Sequence, residues 1–298
     1  MEPRKALFTD LDDTMYSWVG FFAPSFRAMI HVTQKVTKID EETLYDSFKK
    51  VYKRHNSLEY SFVIQELDIW EKLGWNTQRV LEEVVKPARG AVRRVRKKHY
   101  ALFSGVRDTL KWLRNQNIQV FAITNAPGYI AHKRLRVLQV DTYIDCLVFF
   151  KDYYVPQDVP DDVRKKVDKE KSSVKLVREF DISEAKPDPK ALRKLIAEFN
   201  LDIKKTYLIG DSLENDIYLA QKAGIIDIWA KYGKENLLQK DLETIGKIST
   251  FSEEEKNENI ILRQSIKPTF TVNSFDEIRS IIGDQLAFNF YDDSLQKK

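Results

Sequence analysis

An α/β fold, a parallel sheet flanked by helices with a helical domain inserted after the first strand, is predicted by three observations. First, three short apolar runs, Ala6 to Thr9, Val120 to Ile123 and Tyr207 to Ile209, each stop at polar residues. Second, none alternates strictly, so each reads as a strand buried on both faces, as in a sheet covered by helices. Third, Tyr16 to Tyr100, between the first two runs, holds little Gly or Pro and spaces its apolar residues as helices do.

Taken in order, the first run ends at Asp10 and continues Leu11-Asp12-Asp13-Thr14. In the inserted segment Leu44, Phe48 and Val51, then Phe62, Leu67 and Trp70, then Val80, Leu81 and Val84 fall on helical faces. Phe48, Phe62, Trp70 and Trp75 are expected to form that segment's own core. Ser104-Gly105 precedes an amphipathic helix from Val106 to Leu113, which leads to the second strand and then to Thr124-Asn125. Asp188-Pro189 sets an N-cap and a first-turn proline before the helix from Lys190 to Ile196. The third strand ends at Gly210-Asp211, and a helix from Leu213 to Ala223 should stop at Gly224.

Two charged stretches, Val155 to Lys175 and Gly233 to Lys267, read as loops or extra helices. Thr269 to Val272 suggests a last strand, Phe275 to Ile282 a last helix, and Tyr291 to Lys298 a frayed end. The expected division is a core of residues 1–15 and 101–298, with additions at about 155–175 and 234–298, and a cap of residues 16–100.

Composition bounds the function. Of 298 residues, 43% are apolar and 32% charged, which suits a water-soluble protein with a sizeable core. No apolar run reaches the roughly 18–20 residues of a bilayer span, so no membrane partner is expected. One cysteine, Cys146, excludes an internal disulfide, and Met1 to Lys5 carries no apolar signal stretch; a cytoplasmic location is expected. The four scattered histidines argue against a Cys/His zinc site. A net charge of +4 is too mild to indicate nucleic acid.

In an open parallel sheet, ligands bind beyond the carboxyl ends of the strands. Asp10, Thr124-Asn125 and Asp211 all lie at such ends, so one pocket can collect them. A carboxylate such as Asp10 can attack phosphorus and carry an acyl-phosphate. Mg²⁺ would offset the repulsion between anions, with Asp211 as a second carboxylate ligand and Asp216 as a ligand or as a group orienting the metal's waters. Asp12, two residues on in an extended segment, projects to the same side as Asp10. It can protonate the leaving oxygen and later take a proton from the attacking water. Thr124 and Asn125 can donate hydrogen bonds to the phosphoryl oxygens, and Lys186 supplies positive charge.

Through Asp10-Leu11-Asp12-Asp13-Thr14, Thr124-Asn125, Lys186-Pro187-Asp188-Pro189 and Gly210 to Asp216, the chain resembles the haloacid dehalogenase-like (HAD) hydrolase superfamily. The resemblance covers about residues 1–15 and 101–233. It implies a Rossmann-like core with a C1-type helical cap, Asp10 as nucleophile and Asp12 as acid/base. It also implies that Thr124 and Lys186 bind the phosphoryl group, and that Asp10, Asp211 and the backbone carbonyl of Asp12 hold Mg²⁺. Dehalogenases of the family lack an acid at the Asp12 position, so its presence points to phosphorus chemistry.

The expected function is therefore a Mg²⁺-dependent phosphomonoester hydrolase for a small phosphorylated metabolite, a nucleotide or sugar phosphate. The alternatives are a phosphomutase or phosphotransferase using the same residues, or a regulatory binding module on the same core. Substrate and oligomeric state are left open. In the cap, Tyr16 and Trp18 read as cap–core packing or as a stacking surface. Arg54-His55-Asn56 reads as a solvated helix end. The run holding Arg89, Arg93, Arg94, Arg96 and Lys97 reads as a solvated face or an anion-attracting patch.

Overall fold

The run that ends at Asp10 forms the middle of the sheet. The computed structural model describes residues 3–151, 165, 169–251 and 253–283. Its strands are β1 (Arg4–Thr9), β2 (Gln119–Ile123), β3 (Cys146–Lys151), β4 (Leu176–Asp181), β5 (Leu201–Gly210), β6 (Ile226–Ala230) and β7 (Phe270–Val272). They form one sheet in the order β4-β3-β2-β1-β5-β6-β7, with every pair parallel. Successive side chains point to opposite faces. Leu7, Val120, Tyr207, Ile209 and Ile228 therefore enter one core, while Phe8, Phe121, Val148 and Leu208 enter the other. Phe8 stacks on Phe121 across β1 and β2 with ring centroids 4.7 Å apart.

Four strands coincide with the expected runs, whereas β3, β4 and β6 were not anticipated as strands. The reasons are local. In β6, Asp227 is buried within the strand and is satisfied by the N–H and hydroxyl of Thr269 at 2.7 and 2.6 Å. β4 is an edge strand, and its Arg178, Glu179 and Asp181 suit an exposed edge rather than an apolar run.

The expected core helices occur at Val106–Asn115, Lys190–Glu198 and Leu213 to Ala223. The cap of the second shifts by one residue: Pro189 occupies the N-cap, while the Asp188 carboxylate accepts from the Lys190 N–H at 2.8 Å. The third opens with a π turn, Leu213–Ile217, and ends at Gly224 with φ 80°, the left-handed conformation that glycine takes without strain. Phe275–Glu277 starts the final helix, which runs to the last described residue, 283.

Between β1 and β2 lie the helices Trp18–Thr37, Glu41–Arg54, Ile69–Leu73, Thr77–Val80 and Lys86–His99, the last entered through a π turn, Leu81–Val85. Ser17 caps the first by accepting from the Gly20 N–H at 3.0 Å, and Asp40 caps the second by accepting from Thr43 at 2.9 Å. This layer has its own core of Phe26, Leu44, Phe48, Val51, Phe62, Leu67, Trp70, Val80 and Val84, with Trp75 stacked on Trp70 at its margin.

Where they are described, the first charged stretch is irregular at residues 169–175 and the second is helical. Residues 155–164 and 166–168 lie outside the described residues, as does the end from Tyr291 to Lys298. The described part of the first stretch docks through Ser172, hydrogen-bonded to His132 at 2.8 Å. The second forms helices Gln239–Ile248 and Glu253–Ser265. Ile248 enters the cap's core, and Arg27 of the cap pairs with buried Asp241 at 2.6 Å and donates to Thr244 at 2.8 Å. Among the described residues no helix is long and apolar enough to cross a membrane.

Candidate active site

Asp10 is buried one residue past β1, its N–H donating to the Ile209 carbonyl at 2.9 Å, so the parallel ladder fixes its backbone. Asp211 follows β5 in the same way. Asp216 comes from the π turn of the next helix, where its carboxylate accepts from the Ser212 N–H at 3.1 Å. Gly210 is required here: a Cβ on it would lie 2.2 Å from Asp216 Cγ. Asp10, Asp211 and Asp216 each offer an oxygen within 4.8 Å of the others.

Lys186 lies between two of these acids. Its ammonium donates to Asp10 Oδ1 at 2.5 Å and to Asp216 Oδ1 at 2.8 Å. Asn125 fixes the lysine's backbone from both sides, donating to its carbonyl at 3.1 Å and accepting from its N–H at 3.2 Å. The Asn125 side chain thus positions Lys186, while the residue itself stays exposed beside the strand end. Thr124 is buried, with its N–H on the Val148 carbonyl at 3.1 Å and its hydroxyl accepting from the Ala126 N–H at 3.0 Å.

Burial works against these charges. It pushes the Asp10 carboxyl well above its usual range, opposed by Lys186 and reinforced by Asp216 and Asp211. It raises Asp211 too, against the pull of Lys234 at 2.7 Å. It pushes Asp13 up to about 8, helped by Asp211 and Asp12. Burial also disfavours the charge on Lys186, but Asp10 and Asp216 outweigh it and keep the ammonium protonated. Among the described residues, four carboxyl groups (Asp10, Asp13, Asp211, Asp216) thus face two ammonium groups, Lys186 and Lys234. A cluster of buried oxygens with surplus negative charge suits a hard divalent cation.

Asp12 has different company. Arg134 closes on both its oxygens from the helix Gly128–Val137, and the Tyr16 hydroxyl donates to Oδ1 at 2.8 Å. Burial pushes the Asp12 carboxyl up to about 6, opposed chiefly by Arg134. Arg134 also pairs with Glu59 of the cap, and the Trp18 indole N–H donates to the same Glu59 at 2.7 Å. Asp13, at φ 53°, caps the first cap helix by accepting from the Trp18 N–H at 2.7 Å.

Sequence reasoning missed Arg134, Glu59 and Lys234. Arg134 left a trace: it falls in the helical stripe of Ile130, Ala131, Leu135 and Leu138, where a charge demands a partner. Glu59 and Lys234 lie in or beside turns and left none. Tyr16 is buried packing that also serves Asp12, and Trp18 stacks on Phe22 at 4.5 Å. Arg54 and His55 pair with Glu66 within the cap at 2.9 and 2.8 Å.

The strand order and the carboxylates beyond the strand ends define a class: a Rossmann-like hydrolase core with an acidic centre under a helical cap. The family model for haloacid dehalogenase-like hydrolases matches residues 4–224, and a second, HAD-hydrolase-like, matches residues 184–278. The chain belongs to the haloacid dehalogenase-like hydrolase family. It is similar to the glyceraldehyde 3-phosphate phosphatase of Pyrococcus abyssi, 22% identical over 234 residues, 77% of this chain and 82% of that one. The Pyrococcus furiosus enzyme of the same name is 21% identical over 238 residues, 78% and 83% of the two chains. Among solved structures, 2-haloacid dehalogenase from Pseudomonas syringae pv. Tomato gives a TM-score of 0.55 at 15% identity, covering 95% of this chain and 99% of that one. A HAD phosphatase from Thermococcus onnurineus gives 0.54 at 16%, covering 94% and 98%. At such identities these structures bear on the fold alone.

Proposed function

We propose that the protein hydrolyses phosphomonoesters of small metabolites through an aspartyl-phosphate on Asp10, with Mg²⁺ bound by Asp10, Asp211, the Asp12 carbonyl and, directly or through water, Asp216. The observation that carries this reading is Lys186 held between Asp10 and Asp216 at 2.5 and 2.8 Å, with Asp211 beside them. Bound Mg²⁺ supplies charge neutralisation for a phosphoryl group approaching a carboxylate. Asp10 attacks phosphorus, and Lys186, Thr124 and the strand-end N–H groups near Asn125 bind the phosphoryl oxygens. Asp12 gives its proton to the leaving oxygen, then takes one from the water that opens the acyl-phosphate. A carboxyl at about 6 exchanges a proton readily near neutrality, and Glu59 keeps Arg134 paired while Asp12 is protonated. The three-carbon phosphate named for the Pyrococcus relatives favours a small substrate.

The test is phosphate release from a panel of nucleotides, sugar phosphates and small phospho-acids, with Mg²⁺ and with EDTA. Wild type should turn over selected members with Mg²⁺ alone, and Asp10→Asn none. Absence of turnover across the panel overturns the reading. Isomer formation without net phosphate release would instead assign a phosphomutase.

A further inference from the structure

Two arginines from different layers meet on one aromatic ring. Arg96, from the cap helix Lys86–His99, has its guanidinium carbon 5.5 Å from the centroid of Phe21, and that of Arg134, from the core, lies 5.4 Å from the same centroid. Arg134 is committed to Asp12 and Glu59. Arg96 donates no hydrogen bond and makes no ion pair among the described residues, although it is only half exposed, unlike Arg89, Arg93, Arg94 and Lys97 on the same helix. Burial and the like charge of Arg134 both push its guanidinium down from its ordinary range. A buried polar atom of its neighbour, Arg134 Nε, also lacks a partner among the described residues. Tyr100 packs edge-on against Phe21 with centroids 4.7 Å apart.

The cations of the site are thus divided. Lys186 serves Asp10 and Asp216, where the phosphoryl group is to be held. Arg134 lies against Asp12, where the leaving group is to depart, and Arg96 shares the Phe21 ring with it. Glu59 is the carboxylate near Arg96, and it is already paired with Arg134; a half-buried guanidinium with no ion pair of its own gains from an anion that a ligand supplies. Building on the phosphatase reading, we propose that Arg96 and Arg134 form a subsite for a second anionic group, a carboxylate or another phosphate, on the leaving group. The preferred substrates are then phosphomonoesters whose alcohol portion carries its own negative charge. The alternative readings of the patch, nucleic acid or bulk solvation, do not explain why Arg96 alone turns inward.

The experiment compares kcat/KM with Mg²⁺ for two matched pairs: phosphoglycerate against glycerol phosphate, which differ in a carboxylate, and fructose bisphosphate against fructose 6-phosphate, which differ in a phosphate. Wild type should favour the anionic member of at least one pair by tenfold or more, and the pair concerned identifies the anion. Arg96→Met should bring that ratio toward one, mainly through KM, and Arg96→Lys should restore part of it. A wild-type ratio near one in both pairs, or an Arg96→Met that lowers both members equally, overturns the subsite while leaving the phosphatase reading intact. Absence of turnover for all four esters while other members of the phosphate-release panel are hydrolysed overturns the subsite alone; absence of turnover across the whole panel overturns the phosphatase reading and the subsite with it.

Discussion

Arg134 grips Asp12 by both carboxylate oxygens, Nη1 lying 2.8 and 2.9 Å from them, and its own side chain is almost fully withdrawn from solvent. Asp12, two residues beyond Asp10, is thus held by a core helix, and the same guanidinium reaches the cap through Glu59. Removing one member of such a pair strands the other. Arg134→Met should cost about 3 kcal/mol in urea unfolding. The double variant Arg134→Met with Asp12→Asn should recover part of that loss, since neither charge is then left unpaired.

The surplus of carboxylates at Asp10, Asp13, Asp211 and Asp216 should make stability depend on a divalent ion. Mg²⁺ at a hundred times its dissociation constant should add about 2.7 kcal/mol, seen as a concentration-dependent rise in Tm that EDTA reverses. Asp211→Asn should lose most of that rise. A melting curve indifferent to Mg²⁺ in wild type would count against the ion site.

Gly233 precedes Lys234, the partner of Asp211, in the turn Lys231–Lys234. A Cβ there would fall 1.7 Å from the Asp13 carbonyl oxygen, which is backbone and cannot swing aside. Gly233→Ala should therefore cost about 3 kcal/mol and disturb Lys234 with it, read as a lowered urea midpoint. An alanine variant of wild-type stability would contradict this packing.

Cys146 is the sole cysteine and is fully buried at the start of β3. Burial pushes its thiol up to about 12. At pH 8 only about one thiol in ten thousand would be thiolate, the reactive form. A thiol reagent should label the native protein very slowly at pH 8 and the urea-unfolded protein at the rate of a free cysteine. Rapid native labelling would show that β3 opens.

The fold was legible at the apolar runs that end in site motifs, and not at Cys146 to Phe150, an equally apolar run with no such motif after it. Ala6 to Thr9 and Tyr207 to Ile209 announce central strands because both faces are covered. β6 was hidden by Asp227, whose burial depends on Thr269, a partner that only the tertiary fold supplies. At the site, Asp10 and Asp211 were readable because each ends an apolar strand run, and Lys186 and Asp216 because they fall in the motifs Lys186 to Pro189 and Gly210 to Asp216. Glu59 was not, since its meaning comes from a contact with Arg134 across 75 positions of chain. Arg96 was counted with its neighbours as part of one basic run; only the packing on Phe21 separates it from them.

The helix Gln239–Ile248 is spliced between β6 and β7, yet Ile248 is buried among the cap's apolar side chains. One flank of the cap is therefore fastened to the core by a grease seal reinforced by Arg27 and Asp241. The other flank is closed by exchangeable polar fasteners, Glu59 on Arg134 and Ser61 on Tyr129. An exposed contact such as Ser61 on Tyr129 trades for water at little net expense, whereas exposing a buried Ile does not. The cap is thus held to the core by apolar packing at Ile248 on one flank and by the polar contacts of Glu59 and Ser61 on the other.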